Sequence, residues 1–229
     1  MSKGKSSKTY FIIQEHLSQG DVQVEMLCGV IMVLVMIGYL KWSLVQEGFN
    51  FQKVMLLVPL GCNAAWGIID GIMYVLVNLR ERGKKSKLLS LIKSAKDQDE
   101  ALAIIKGEYD LAFIDLLNKD TQVNIYEELL KRLTTESIEK PKGISKKDLR
   151  VILETFLIVS LTGVPLVIPF ILSSDVWLAI RVSHIIGLVM LFCIGYWWAK
   201  LASRHKIRSA LALTALGVLI VGMTELLHG

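Results

Sequence analysis

The charged residues of this chain fall into blocks, and long stretches between the blocks carry none. "MLCGVIMVLVMIGYL" (residues 26–40) has no charge, and "VMLLVPLGCNAAWGIIDGIMYVLVNL" (54–79) has one, Asp70. Residues 155–174, 182–199 and 209–224 also lack Asp, Glu, Lys and Arg. A helix needs about 20 mostly apolar residues to cross the hydrocarbon core of a bilayer. The pattern therefore predicts five spans, near 24–45, 54–79, 151–172, 176–199 and 207–228. The third contains "TGVPLVIPF", in which Pro165 and Pro169 each remove a backbone donor. A kink or local unwinding of its outer half is expected.

Between the second and third spans the pattern changes to amphipathic helix. Leu88, Leu89, Leu91 and Ile92 recur at helical spacing among lysines, and Leu102, Ile104, Ile105, Leu111, Phe113 and Ile114 continue the theme. Ile125, Tyr126, Leu129, Leu130 and Leu133 follow, with Asp120 or Thr121 as the expected N-cap. No alternating strand pattern of any length occurs. "TYFIIQEHLSQ" (9–19) suits a short interfacial helix, which Gly20–Asp21 breaks or caps. The chain thus divides into an N-terminal tail (1–24), spans one and two (24–79), a small helical domain (80–150) and spans three to five (151–229). The fold class is all-α: an integral membrane protein of five transmembrane helices with a cytoplasmic helical domain inserted between spans two and three.

Composition agrees, at 53% hydrophobic residues and a mean hydropathy of +0.50. Charge adds an orientation. Of 26 Lys and Arg, three lie in residues 1–24, sixteen in 79–150 and four in 200–208. Those next to the span ends, such as Arg80, Arg82, Lys84 and Lys146, place these segments inside by the positive-inside rule. The N-terminus is read as cytoplasmic and the C-terminus as outside. The net charge of +5 then marks the inner face of a membrane protein, and no nucleic-acid partner is implied. A short chain without a targeting presequence fits a bacterial or archaeal inner membrane. Cys28, Cys62 and Cys193 all fall inside predicted spans without metal-ligand spacing, and are read as packing residues. No Walker loop, dinucleotide fingerprint, HExxH or nucleophile elbow is present, so an enzyme is not expected.

The last third of the chain carries a resemblance. Gly163, Pro165, Leu166 and Pro169 form a Gly-x-Pro-Leu-x-x-Pro kinked helix; Leu191, Phe192, Gly195 and Tyr196 form a Leu-Phe-x-x-Gly-Tyr helix end; and Gly217 and Gly222 lie in the final helix after a basic loop. In these elements, and in its layout of two spans, a helical insert and three spans, the chain resembles the vacuolar iron transporter family. The resemblance implies a homodimer of five-span subunits that exports Fe²⁺ or Mn²⁺ from the cytosol in exchange for protons. It implies no permanently bound cofactor, the metal being cargo. The sequence departs from the family in carrying its Asp-Gly pair (Asp70–Gly71) on the second span, and in an insert that opens basic, "RERGKKSKLLSLIK".

An ionisable residue within a span is costly, and by default marks a pathway. On a helix Asn63, Asp70, Met73 and Tyr74 share one face, so the transport pathway is assigned to them. Two oxygens and a thioether suit a borderline divalent cation, with a second set supplied across a dimer axis. The competing reading pairs Asp70 with Arg181 or His184 of the fourth span. Glu25 and Glu154, one turn inside the first and third spans, form a cytoplasmic entrance or simply sit where the helix dipole favours them. In the insert Glu100, Glu108, Glu127 and Glu128 are the candidates for a metal-collecting site, against a solvated face of interleaved carboxylates and lysines. The sequence leaves two functions open: a proton-coupled divalent-metal exporter, or a non-transporting membrane scaffold whose basic insert binds a partner or anionic lipid.

Overall fold

The computed structural model describes residues 17–45, 51–108, 117–135, 143–201 and 205–226. The interfacial helix expected over 9–19 and the helical pattern across 109–116 lie largely or wholly outside them. All regular structure among the described residues is helical: α1 (Gln19–Val45), α2 (Phe51–Ser94), α3 (Gln98–Glu108), α4 (Lys119–Thr135), α5 (Lys146–Val167), α6 (Pro169–Leu172), α7 (Val176–Leu201) and α8 (Lys206–Leu226). Five helical stretches are long and apolar enough to cross a membrane: Gln19–Lys41, α2, Lys146–Leu172, Val176–Lys200 and Lys206–Thr224. The chain forms two compact units, an apolar bundle of Gln14–Val75 with Lys146–Gly229, and an insert built on Leu76–Ser145.

Local chemistry explains the helix ends. At the start of α1 the Asp21 amide donates to Ser18 Oγ at 3.1 Å and the Ser18 amide donates to Asp21 Oδ2 at 2.9 Å. This is a reciprocal capping box, with Asp in the usual place of Glu. The helix therefore begins before Gly20 and runs through it. α2 is 44 residues long, about 66 Å at 1.5 Å per residue. The sequence pattern ends a span at Leu79 and starts another helix near Lys85, but the structure has no break there. The change from apolar to basic residues alters what surrounds the helix without removing a backbone donor.

In the bundle α1 packs on α5, α7 and α8, and Val30, Val33, Leu34 and Ile37 are fully buried. α2 meets α5 through Gly67 and Gly71: a Cβ there would lie 2.8 Å from Phe156 Cα and 2.7 Å from Ile152 Cα. Such near-contact of backbones is how small residues four apart join apolar helices. Pro169 interrupts the third apolar stretch at Ile168, as its missing donor requires, whereas Pro165 lies within α5 without a break. Just before the interruption, Ser183 Oγ of α7 donates to the Leu166 carbonyl at 2.6 Å.

The insert has its own core, in which Leu88, Leu89 and Ile92 from α2 meet Ile105 of α3 and Tyr126, Leu130 and Leu133 of α4. Asn118, not Asp120 or Thr121, caps α4: its Oδ1 accepts the Thr121 amide at 2.9 Å.

Candidate functional site

The inward side of α2 carries two adjacent stripes. Asn63, Gly67 and Gly71 recur every fourth residue, and all three are buried. The fully buried Asn63 donates through Nδ2 to the Gly29 carbonyl of α1 at 3.2 Å and to the Val159 carbonyl of α5 at 3.0 Å. It therefore joins three helices, while its Oδ1 is buried without a hydrogen-bond partner. This places Asn63 in a structural junction as well as two turns from Asp70.

The second stripe, Asp70 and Tyr74, meets Glu25 of α1. The Glu25 carboxyl group lies within interaction reach of both the Asp70 carboxyl and the Tyr74 hydroxyl. Glu25 is only 3% exposed, and its Oε2 has no hydrogen-bond partner. Asp21, one turn earlier on α1, adds its negative potential at both Glu25 and Tyr74. Asp21, Asp70 and Tyr74 thus put their oxygen-bearing side chains within electrostatic reach of Glu25.

Of the residues expected in the pathway, Asp70 and Tyr74 come together with Glu25, which the sequence placed at an entrance. Met73 is 54% exposed on the open side of α2, beside Ile69 and Ile72, which are also exposed. Glu154 lies on α5 and is ion-paired to Arg150 one turn earlier, at 2.8 Å. Arg181 is exposed and His184 half-buried on α7; the carboxyl partner that the structure gives Asp70 is Glu25. The Glu25–Asp70 contact has one signal in the sequence: Glu25 is the sole acid of residues 22–41 and Asp70 the sole acid of residues 54–79.

Two of the insert carboxylates, Glu100 and Glu128, have local partners. Glu100 Oε2 accepts the Lys96 amide at 2.8 Å while Asp97 Oδ1 accepts the Glu100 amide at 2.8 Å, a second capping box that starts α3. Glu128 pairs with Arg132 at 2.7 Å, and the guanidinium holds its carboxyl below the usual range. Glu127 lines a cleft of about 610 Å³ together with Lys93, Asp97 and Lys131. The Glu108 side chain lies outside the described residues. Among the described residues, no three His, Cys, Asp or Glu side chains gather as a metal-binding group.

No family model matches the chain, and no curated protein matches it either.

Proposed function

We propose that this protein is a membrane-embedded secondary transporter, moving a divalent cation, Fe²⁺ or Mn²⁺, out of the cytosol in exchange for protons. The observation that carries the reading is the contact of Glu25 with Asp70 inside an apolar bundle, with Glu25 Oε2 buried and unpartnered. Leaving a buried polar atom unsatisfied costs about 1–3 kcal/mol, and more when it is charged. A site that bears this cost beside a second carboxyl is suited to a cation or a proton that comes and goes. Glu25, Asp70 and Tyr74 supply hard oxygen ligands, which suit Mn²⁺ and Fe²⁺ better than softer ions. In this reading the two carboxyl groups share a proton in the metal-free state, and the cation displaces it.

The charge distribution supports a cytoplasmic N-terminus and insert with the C-terminus on the other side of the membrane. The reading includes a homodimer in which the open side of α2, with exposed Ile69, Ile72 and Met73, faces the second subunit or the pore between them. That placement would return Met73 to the pathway from the partner's side.

The test is uptake of radiolabelled Mn²⁺ and Fe²⁺ into proteoliposomes, with and without a pH gradient, for wild type, Asp70→Asn and Glu25→Gln. Gradient-driven flux that collapses in both variants is the expected result. Absence of flux in well-folded wild type overturns the transporter reading and favours the scaffold.

A further inference from the structure

The turn between α7 and α8 has a composition that the transport reading does not use. From Val176 to Thr224 the chain contains no Asp or Glu, yet Lys200, Lys206 and Arg208 cluster at this turn with His205. All four are exposed. The helices are held together here by a close backbone approach: a Cβ on Gly195 would lie 2.8 Å from Ala210 Cα and 2.9 Å from the Ser209 carbonyl. Ala199 and Ala210 are buried on the same seam. The approach brings the Lys206 ammonium over the Tyr196 ring, 5.7 Å from its centroid.

The level of this cluster along α7 is set by aromatic residues. Trp177 is 50% exposed near one end, and Tyr196, Trp197 and Trp198 are 45%, 42% and 38% exposed near the other. Trp177 and Trp197 are 20 residues apart, about 30 Å along a helix. That is the thickness of a bilayer's hydrocarbon core, and exposed tryptophan and tyrosine mark its two faces. Lys200 and Lys206 then stand just beyond the aromatic level, at the depth of lipid phosphates, while Arg208 is level with Trp197 and its long side chain can extend to that depth.

We propose that the α7–α8 turn binds the headgroup of an anionic phospholipid, with Lys206 and Arg208 contacting the phosphate and Tyr196 and Trp197 lining the glycerol level. A zwitterionic headgroup would bring its own positive charge to a segment that carries no acid of its own from Val176 to Thr224. The proposal rests on the membrane-embedded reading but not on transport.

The experiment uses the full chain in vesicles, with Trp42, Trp66 and Trp177 replaced by Phe so that Trp197 and Trp198 report. Quenching is compared between brominated phosphatidylglycerol and brominated phosphatidylcholine. A basic residue near the surface is worth about fivefold in binding an anionic lipid. The expected result is at least about a fivefold preference for the anionic lipid, lost in Lys206→Gln/Arg208→Gln and reduced in high salt. As a second measurement, native mass spectrometry of otherwise unaltered protein should show retained phosphatidylglycerol, with less retained in the Lys206→Gln/Arg208→Gln variant. Equal quenching by both lipids, or a preference that the double variant keeps, overturns the site while leaving the membrane reading intact. No quenching by either lipid overturns both.

Discussion

Replacing Gly71 by Ala tests the packing that holds the carboxyl pair together. The new Cβ would lie 2.7 Å from Ile152 Cα and 3.2 Å from the Ile152 carbonyl oxygen, whereas ordinary contact starts at 3.4 Å. Both neighbours are backbone atoms that no rotamer change can move. α2 and α5 must therefore separate by about 0.7 Å at this level. Forcing a methyl group into a packed interior costs roughly 1–3 kcal/mol, which lowers the melting temperature of a chain of this size by roughly 2–12 °C. Asp70 is the adjacent residue, and a displacement of that size is enough to disturb its contact with Glu25. Flux should fall along with stability. Gly83→Ala is the matched control on the same helix: nothing lies within 4 Å of its Cβ, and the gain in helix propensity is about 1 kcal/mol. The assay is thermal unfolding in detergent followed by near-ultraviolet circular dichroism, alongside vesicle flux. A Gly71→Ala protein that melts at or above wild type would refute the backbone-contact argument.

Ser183→Ala removes the hydrogen bond to the Leu166 carbonyl and should cost about 0.6 kcal/mol, the average for such bonds between membrane helices, read as a small fall in melting temperature. Asp97→Ala removes the α3 cap and should cost about 1 kcal/mol, with hydrogen exchange accelerated at the first α3 amides. The Glu128–Arg132 pair sets an acid dependence. Because Arg132 lowers the Glu128 pKa in the folded chain from its ordinary 4.5, the pair's contribution is fully present above that pH and is lost as pH falls through the lowered value. The pair is exposed and the effect small, so the check is a comparison. Arg132→Gln should melt slightly below wild type at pH 7, and the difference should shrink as the pH is taken progressively below 4.5.

The five apolar helices were legible because the constraint behind them is local: about 20 apolar residues in succession can be read from one window of sequence. The interruption at Pro169 was legible for the same reason, since a missing N–H belongs to the residue itself. Pro165 shows the limit, because α5 continues through it. The continuity of α2 was hidden by a change in polarity that resembles a boundary. Glu25 and Asp70 were each visible as isolated acids, but their meeting depends on how α1 and α2 pack, and a single sequence carries no record of that. Asn63 was read as a pathway ligand from its helical face; only the position of α1 and α5 reveals that its amide nitrogen is already used at two carbonyls.

The pairing of Glu25 with Asp70 has an electrical consequence if, as the proposed exchange requires, the two hold one proton in the metal-free state. Two carboxyl groups sharing one proton carry a single negative charge between them. In the proposed cycle, a divalent cation that displaces only this proton leaves the pair with one positive charge more than before. Export coupled to one such site would then move net positive charge outward, against an inside-negative membrane potential that opposes it by about 2.3 kcal/mol per charge for each 100 mV. A two-fold dimer that loads one cation between two such pairs gives up two protons and moves no net charge. The number of subunits sharing a cation therefore decides whether the membrane voltage, or the pH gradient alone, sets the limit of transport.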